Sequence, residues 1–115
     1  MLYTEPMRRK SNATLAARIE EVSLAARLFR ALSDPQRLRL LSLISRASPE
    51  ICVCDLNNGV SLVQPTVSHH LRVLKDAGLV TCERRATWMY YRLADGARQK
   101  IRRALTTLFS RKAHA

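Results

Sequence analysis

Apolar residues recur every three or four positions along most of the chain, which is the spacing of helices that bury one face. From Leu15 they form two neighbouring stripes, so the first helix is predicted to bury two faces. The stripes are Leu15, Ile19, Val22, Ala26 and Phe29, and beside them Leu24, Leu28 and Leu32. Asp34 and Pro35 then start a second helix over about residues 35–46, because Asp is a favourable N-cap and Pro fits the first helical position.

The centre of the chain predicts two more helices. Pro49 breaks the second helix, and residues 51–58 indicate a short strand-like entry followed by a short helix that ends at Gly59. Pro65 and Gly78 bracket a further helix over about residues 65–77. This part of the chain therefore predicts a short helix followed closely by a longer one.

The last third of the chain predicts a β-hairpin and a final helix. Residues 79–85 and 88–93 are rich in β-branched and aromatic side chains and are separated by a short polar connection. Trp88 and Tyr90 alternate with Met89 and Tyr91, so one of these pairs is expected to face the core. A helix over about residues 95–112 follows, with one apolar face and one strongly basic face.

Composition narrows the class of partner. The chain has 115 residues, 47% of them hydrophobic, which suffices for one domain with a modest core and leaves no room for a second, catalytic domain. Lys and Arg outnumber Asp and Glu by 20 to 9, a net charge of +11 that favours a phosphate-rich partner. Nucleic acid is the first candidate, with a membrane surface or a merely solvated basic surface as the alternatives.

The domain organisation follows from the same patterns. Residues 1–13 are basic without an apolar stripe and are expected to form a flexible arm, residues 14–112 the folded domain and residues 113–115 a tail. No stretch approaches the roughly 18–20 apolar residues that cross a bilayer, and no apolar signal core is present, so we expect a cytoplasmic protein without a membrane partner. Cys52, Cys54 and Cys82 are expected to be reduced, because a disulfide between residues two apart would be strained.

The order of the predicted elements is that of a winged helix-turn-helix. The predicted fold class is α+β, mainly α, with a two-stranded β-hairpin as the wing. On a helical wheel for residues 65–77, an apolar side faces inward and a polar side faces outward. The polar side suits the edges of bases in the major groove of duplex DNA, or phosphates, and the candidate residues there are Gln64, Thr66, Ser68, His69 and Arg72.

Two further features of this region have predicted roles. His70 lies only about 60° from the inward direction and is expected to pack or to form a hydrogen bond within the protein. Arg84 and Arg85 lie next to the hairpin turn, where a wing could place them against phosphate or in the minor groove. Ordinary solvated surface residues are the alternative for each exposed position.

Four segments in unbroken order between about Leu28 and Leu93 together resemble the ArsR/SmtB family. They read ALSDPQRLRLL from Ala31, CVCDL from Cys52, QPTVSHHLRVLKDAGLV from Gln64 and WMYYRL from Trp88. The resemblance implies a homodimeric repressor that sits on operator DNA and leaves when it binds a metal or metalloid. It also implies that the first and last helices form the dimer interface.

The CVCDL segment resembles that of arsenical-resistance repressors, in which it binds the inducer. By this resemblance Cys52 and Cys54 are the inducer ligands, and arsenic(III) or antimony(III) is the inducer, since soft ions prefer thiolates. Two residues i and i+2 point about 200° apart on an ideal helix, so the helix start is expected to distort on binding. A third Cys of that motif is replaced here by Asn57, and Cys82, water, a small thiol or a cysteine of a second subunit is left to complete the site.

Metalloid-responsive repression has two alternatives. One alternative is a winged-helix regulator with a thiol redox switch, and another is a basic nucleic-acid-binding module whose cysteines are two small buried hydrophobes. An enzyme is not expected, because the sequence offers no paired carboxylates at a recognisable spacing, no glycine-rich phosphate loop and no nucleophile partner for its three histidines.

Overall fold

The computed structural model describes residues 5–60 and 64–109, with the side chains of residues 13–60 and 65–109. Five helices and three strands follow one another along the chain. The helices are α1 (Glu5–Leu32), α2 (Pro35–Arg46), α3 (Val53–Gly59), α4 (Gln64–Asp76) and α5 (Ala97–Phe109), and the strands are β1 (Ile51–Cys52), β2 (Val80–Arg85) and β3 (Trp88–Leu93). The predicted mainly helical winged helix-turn-helix is confirmed.

The first helix is longer than predicted. α1 begins at Glu5, so residues 5–13 of the predicted arm are helical, and Pro6 in the first turn fits a helix start. The apolar pattern did not indicate this because residues 5–13 carry no apolar stripe at helical spacing. Residues 1–4 of the arm, residues 110–112 of the predicted last helix and the tail at 113–115 lie outside the described residues.

Local capping fixes the ends of α2 and α4. The Asp34 carboxylate accepts hydrogen bonds from the backbone N–H groups of Gln36 (2.8 Å) and Arg37 (3.1 Å), as an N-cap does. Gly78 ends α4 at a φ of +78°, which favours glycine. The Leu79 N–H then reaches back to the Leu74 carbonyl at 3.0 Å, which closes a Schellman motif over the last turn.

The hairpin belongs to a three-stranded antiparallel sheet in the order β1-β3-β2. The predicted strand-like entry at residues 51 and 52 is β1. It pairs with β3, so the sheet has three strands and not only the two of the predicted hairpin. Ile51 lies opposite Tyr91, and Cys52 lies opposite Tyr90. Residues directly opposite each other share a sheet face, so alternate residues separate into an inner and an outer face.

The core lies where the helices meet the inner face of this sheet. Its largest fully buried side chains come from α2, α3, α4, β2 and the residue just before β2: Leu40, Ile44, Leu56, Val67, Leu71, Leu74, Leu79 and Val80. Tyr91 and Leu93 pack against it, so the inward pair of aromatic-strand residues is Met89 and Tyr91 rather than Trp88 and Tyr90. None of the described helices is long and apolar enough to cross a membrane.

Neither predicted apolar stripe of α1 is buried along its whole length within a single chain, because the buried side chains among those described are confined to the C-terminal part of the helix. Ala25 and Leu28 pack into the core beside α5, whereas Leu15 and Ile19 are 55% and 64% exposed. α5 likewise buries Ala97 and Ala104 and exposes other apolar residues, namely Leu105, Leu108 and Phe109. The two terminal helices thus leave apolar surface uncovered in the single chain.

Candidate functional site

The outer side of α4 is polar and open to solvent. Val67, Leu71 and Leu74 are at most 1% exposed, and this apolar side fixes the helix on the core. On the opposite side Ser68, His69 and Arg72 are exposed, and Thr66 is half-buried. Of Gln64 only the backbone is described, as the first residue of α4. The wheel derived from the sequence therefore holds for every described side chain of this helix.

The two arginines at the wing differ in their surroundings. Arg84 is exposed, and no ion pair of its guanidinium is found among the described residues. Arg85 forms a bidentate ion pair with Glu50, a further ion pair with Glu83 at 3.0 Å, and lies 4.6 Å above the centre of the Tyr90 ring. Arg84 is thus available to a phosphate, whereas Arg85 is engaged within the chain.

Glu50 is the ion-pair partner of Arg85 in the wing, and the sequence patterns did not identify this contact. It precedes β1 and meets the wing only because β1 pairs with β3. The Arg85 guanidinium lowers the pKa of the Glu50 carboxyl below its usual value, chiefly through their hydrogen bonds. The same contacts raise the pKa of Arg85.

The thiols of Cys52 and Cys54 meet at the start of α3. The Cys54 thiol donates to the Cys52 sulfur at 2.7 Å, and the backbone N–H of Cys54 donates to the same sulfur at 3.4 Å. Cys52 is the N-cap of α3, with extended backbone angles (φ −73°, ψ 144°). The premise that both cysteines lie on an ideal helix is therefore wrong, because Cys52 lies in β1, and a distortion of the helix start on binding stays a prediction.

The contact with Cys52 favours the protonated form of Cys54. The hydrogen bond to Cys52, together with burial and the nearby charge of Asp55, raises the pKa of the Cys54 thiol above its usual value. All three cysteines are half-buried and free. The pair is thus a partly accessible dithiol without a disulfide.

Cys82 lies apart from this pair. It is opposite Tyr91 on the inner face of the sheet, whereas Cys52 is opposite Tyr90 on the outer face. β3 runs between the two strands that carry them, which separates their backbones by about 9–10 Å. Burial, followed by the neighbouring Cys82, raises the pKa of the Tyr91 hydroxyl. Within one chain, the sheet therefore separates Cys82 from the dithiol.

No cluster of three or more His, Cys, Asp or Glu side chains suited to a metal ion occurs in the part of the chain that the structure describes. The dithiol offers two ligands, and a third must come from elsewhere. An ion that accepts two thiolates and a small exogenous ligand fits such a site better than one that needs four protein ligands.

Comparison with known proteins agrees with this architecture. The family described as bacterial regulatory protein, arsR family, matches residues 34–81, from the N-cap of α2 into β2. The chain is 37% identical over 83 residues to an uncharacterized HTH-type transcriptional regulator of Methanocaldococcus jannaschii, which covers 72% of this chain and 92% of that protein.

A second relative and a solved structure are similar to the chain as well. An arsenic resistance transcriptional regulator of Pseudomonas putida, ArsR1, is 42% identical over 66 residues, which is 57% of this chain but only 51% of that protein. A homodimeric winged helix-turn-helix DNA-binding domain from Mycobacterium bovis, a possible ArsR-family transcriptional regulator, superposes with a TM-score of 0.57 at 29% identity, covering 90% of this chain and 93% of that one. The chain belongs to the ArsR/SmtB family of winged helix-turn-helix transcriptional regulators, a family of DNA-binding proteins and not of enzymes.

Proposed function

We propose that this protein is a homodimeric repressor that releases its operator when arsenic(III) or antimony(III) binds to Cys52 and Cys54. The observation that carries this proposal is the contact between the two thiols, 2.7 Å apart, at the start of the helix that precedes α4. Packing alone does not account for two half-buried thiols turned toward each other, whereas a soft thiophilic ion bridges such a pair. The arsenic resistance regulator among the relatives supports the choice of ion.

The exposed side of α4 is the proposed reading surface. Ser68 and His69 lie near the helix start, where small polar side chains let the helix approach base edges, and Arg72 reaches a guanine edge or a phosphate. Arg84 in the wing adds a phosphate contact. In a dimer, two copies of α4 would read half-sites about one helical turn of DNA apart.

The exposed apolar residues of α1 and α5 support the dimer. They lie on the two terminal helices, at Leu15 and Ile19 and at Leu105, Leu108 and Phe109. A chain of this size rarely leaves such a surface open to water unless a partner covers it. A second copy of the chain is the proposed partner, as in the homodimeric neighbour.

The proposed inducer chemistry balances without an oxidant. Arsenous acid, As(OH)₃, exchanges two hydroxides for the two sulfurs, so two As–S bonds form and two As–O bonds break. The two thiol protons leave with the hydroxides as two water molecules. The third hydroxide stays on arsenic, or a small thiol or a cysteine of the second subunit replaces it, which accommodates Asn57 at the position of the third cysteine.

Binding at the pair would weaken the start of α3. The Cys52 sulfur caps α3 through the Cys54 N–H at 3.4 Å, and turning this sulfur toward an ion would change the geometry of the cap. Two sulfurs on one ion, each about 2.3 Å from it by analogy with zinc, are held apart by that ion, so at least one of the two side chains must rotate from the present contact. A coupling free energy of about 1–3 kcal/mol is sufficient for a regulatory change in DNA affinity.

A DNA-binding titration with and without arsenite tests the proposal. The operator is first selected from random duplexes, and the protein is kept under reducing conditions so that thiol oxidation does not contribute. Arsenite is expected to weaken operator binding by the wild-type protein by about 5- to 150-fold. Cys52→Ser and Cys54→Ser are expected to bind the operator normally and to keep it in arsenite, while Cys82→Ser, the matched control, releases it. Normal release by the first two variants would show that the dithiol is not the inducer site.

A further inference from the structure

His70 is the one buried polar or charged residue among the described side chains, with 8% of its surface exposed. It lies on α4 directly after the exposed His69, and the rest of the inward side of this helix is apolar. Val67, Leu71 and Leu74 hold α4 on the core by packing contacts, which are not directional. A hydrogen bond from His70 adds a directional contact.

That contact comes from Arg37 on α2. The Arg37 Nη1 lies 3.2 Å from Nδ1 of His70, while its Nε donates to the Ala31 carbonyl at 2.7 Å and its Nη2 to the Arg30 carbonyl at 3.4 Å. These two carbonyls belong to the last turn of α1, which carries a partial negative charge, and the Arg30 carbonyl also accepts from the Ser33 N–H (3.3 Å) and hydroxyl (3.0 Å). One planar guanidinium therefore joins the end of α1, the start of α2 and the inner side of α4.

The contact with Arg37 determines which nitrogen of the His70 ring carries the proton. A guanidinium only donates, so Nδ1 must accept and the ring proton lies on Nε2. Nε2 faces the Asp34 carboxylate at 3.9 Å, beyond hydrogen-bond distance but close enough for electrostatic attraction. The two backbone N–H groups at the start of α2 hold this same carboxylate in place.

We propose that Arg37 and His70 are a positioning pair that sets the rotation of α4 about its axis, and with it the direction in which His69 and Arg72 point. Consecutive residues on a helix are about 100° apart, so a rotation at His70 moves the outward side chains by the same angle. The pair touches no DNA. It contributes to sequence discrimination through the geometry of α4, and this rests on the proposed function of α4 as the reading helix.

The test measures dissociation constants for the selected operator and for a scrambled duplex, well below the unfolding temperature of each variant. The variants are His70→Leu, His70→Asn and Arg37→Lys, with Arg39→Lys on the exposed side of α2 as the matched control. His70→Leu is expected to weaken operator binding by about tenfold, the factor for one hydrogen bond to a charged group, and to leave scrambled-duplex binding unchanged. The Oδ1 of His70→Asn takes the place of Nδ1, so this variant is expected to restore most of the discrimination.

Arg37→Lys keeps the charge but loses the planar fork, so it is expected to reduce discrimination as His70→Leu does. Combined with His70→Leu it is expected to add little, because both changes remove one interaction. Any of three results would overturn the positioning role while leaving α4 as the reading helix. These are variants that discriminate as well as the wild type, a His70→Asn variant that discriminates no better than His70→Leu, and losses of operator affinity from Arg37→Lys and His70→Leu that add. A wild-type protein that binds both duplexes equally would overturn the proposed function, and the positioning role with it.

Discussion

Arg85 in the wing is bound by Glu50, the residue that precedes the strand carrying Cys52. The side chain that sequence reasoning placed on DNA is therefore engaged within the chain, whereas its neighbour Arg84 is exposed on the other face of the hairpin. The ion pair also links the wing to the strand that carries the dithiol, since Glu50 lies two residues before Cys52.

The salt dependence of DNA binding should distinguish the two arginines. Arg84→Ala is expected to lower the magnitude of the slope of log K against log salt by about 0.9, the value for one phosphate contact. Arg85→Ala is expected to lower it less, because DNA must compete with Glu50 and Glu83 for this guanidinium. Glu50→Gln is expected to raise the magnitude, because it frees Arg85. The reverse order, with Arg85→Ala losing a full contact and Arg84→Ala none, would contradict this assignment.

The Glu50–Arg85 pair also predicts a direction for acid sensitivity. The pKa of Glu50 is lowered in the folded protein, so its contribution to stability is complete above the usual carboxyl pKa and is lost as the pH falls through the lowered one. In thermal unfolding followed from neutral to acidic pH, Glu50→Gln is expected to flatten the acid decline of the midpoint relative to the wild type. Asp95→Asn, which removes an exposed carboxylate paired with Arg92, is the control and should follow the wild-type curve more closely.

The dithiol contact predicts how Cys54 titrates. The contact with Cys52 is the largest cause that raises the pKa of Cys54, so Cys52→Ala is expected to lower that pKa toward the usual value. The rate of alkylation of Cys54 by iodoacetamide, followed by mass spectrometry against pH, should then rise at a lower pH. Cys82→Ala should leave the profile unchanged. An identical profile for Cys52→Ala would show that the two thiols do not interact in solution.

The exposed apolar residues of α5 predict a dependence of DNA affinity on dimerisation. Leu105→Glu and Leu108→Glu place a charge in the proposed interface and are expected to halve the mass found by sedimentation and to weaken operator binding by at least about tenfold. Leu38 on α2 is as exposed, at 49%, and Leu38→Glu serves as the control for an added surface charge. A monomeric wild-type protein, or dimers unaffected by both α5 changes, would place the subunit contact elsewhere or remove it.

The hairpin turn carries a conformational cost. Ala86 adopts a φ of +58°, a conformation that costs an L-residue with a Cβ roughly 1–2 kcal/mol. Ala86→Gly is expected to stabilise the protein by about 0.5–1 kcal/mol after the entropy cost of glycine, measured as the midpoint of urea unfolding. Thr87→Gly changes the other turn residue, which has no positive φ, and should destabilise instead.

The sequence patterns were sufficient to predict those features of the structure that depend on contacts between residues close together in the chain. Asp34, Pro35 and Gly78 fix the ends of α2 and α4 through contacts within a few residues, so these boundaries and the outward side of α4 could be predicted. The pairing of β1 with β3 is a contact between distant segments, and no periodic pattern of two residues can indicate it. From that pairing follow both the meeting of Glu50 with Arg85 and the extended backbone of Cys52, which brings the two thiols together.

A competition titration of the His69→Ala, Arg72→Ala double variant measures whether α4 discriminates between duplex sequences. Operator and scrambled duplexes are compared at a fixed salt concentration, with Arg98→Ala, Arg102→Ala on α5 as a control for lost charge. Our expectation is that the α4 variant binds the two duplexes with nearly equal affinity, whereas the α5 variant still prefers the operator. An α4 variant that holds the operator as tightly and as selectively as the wild type would contradict it.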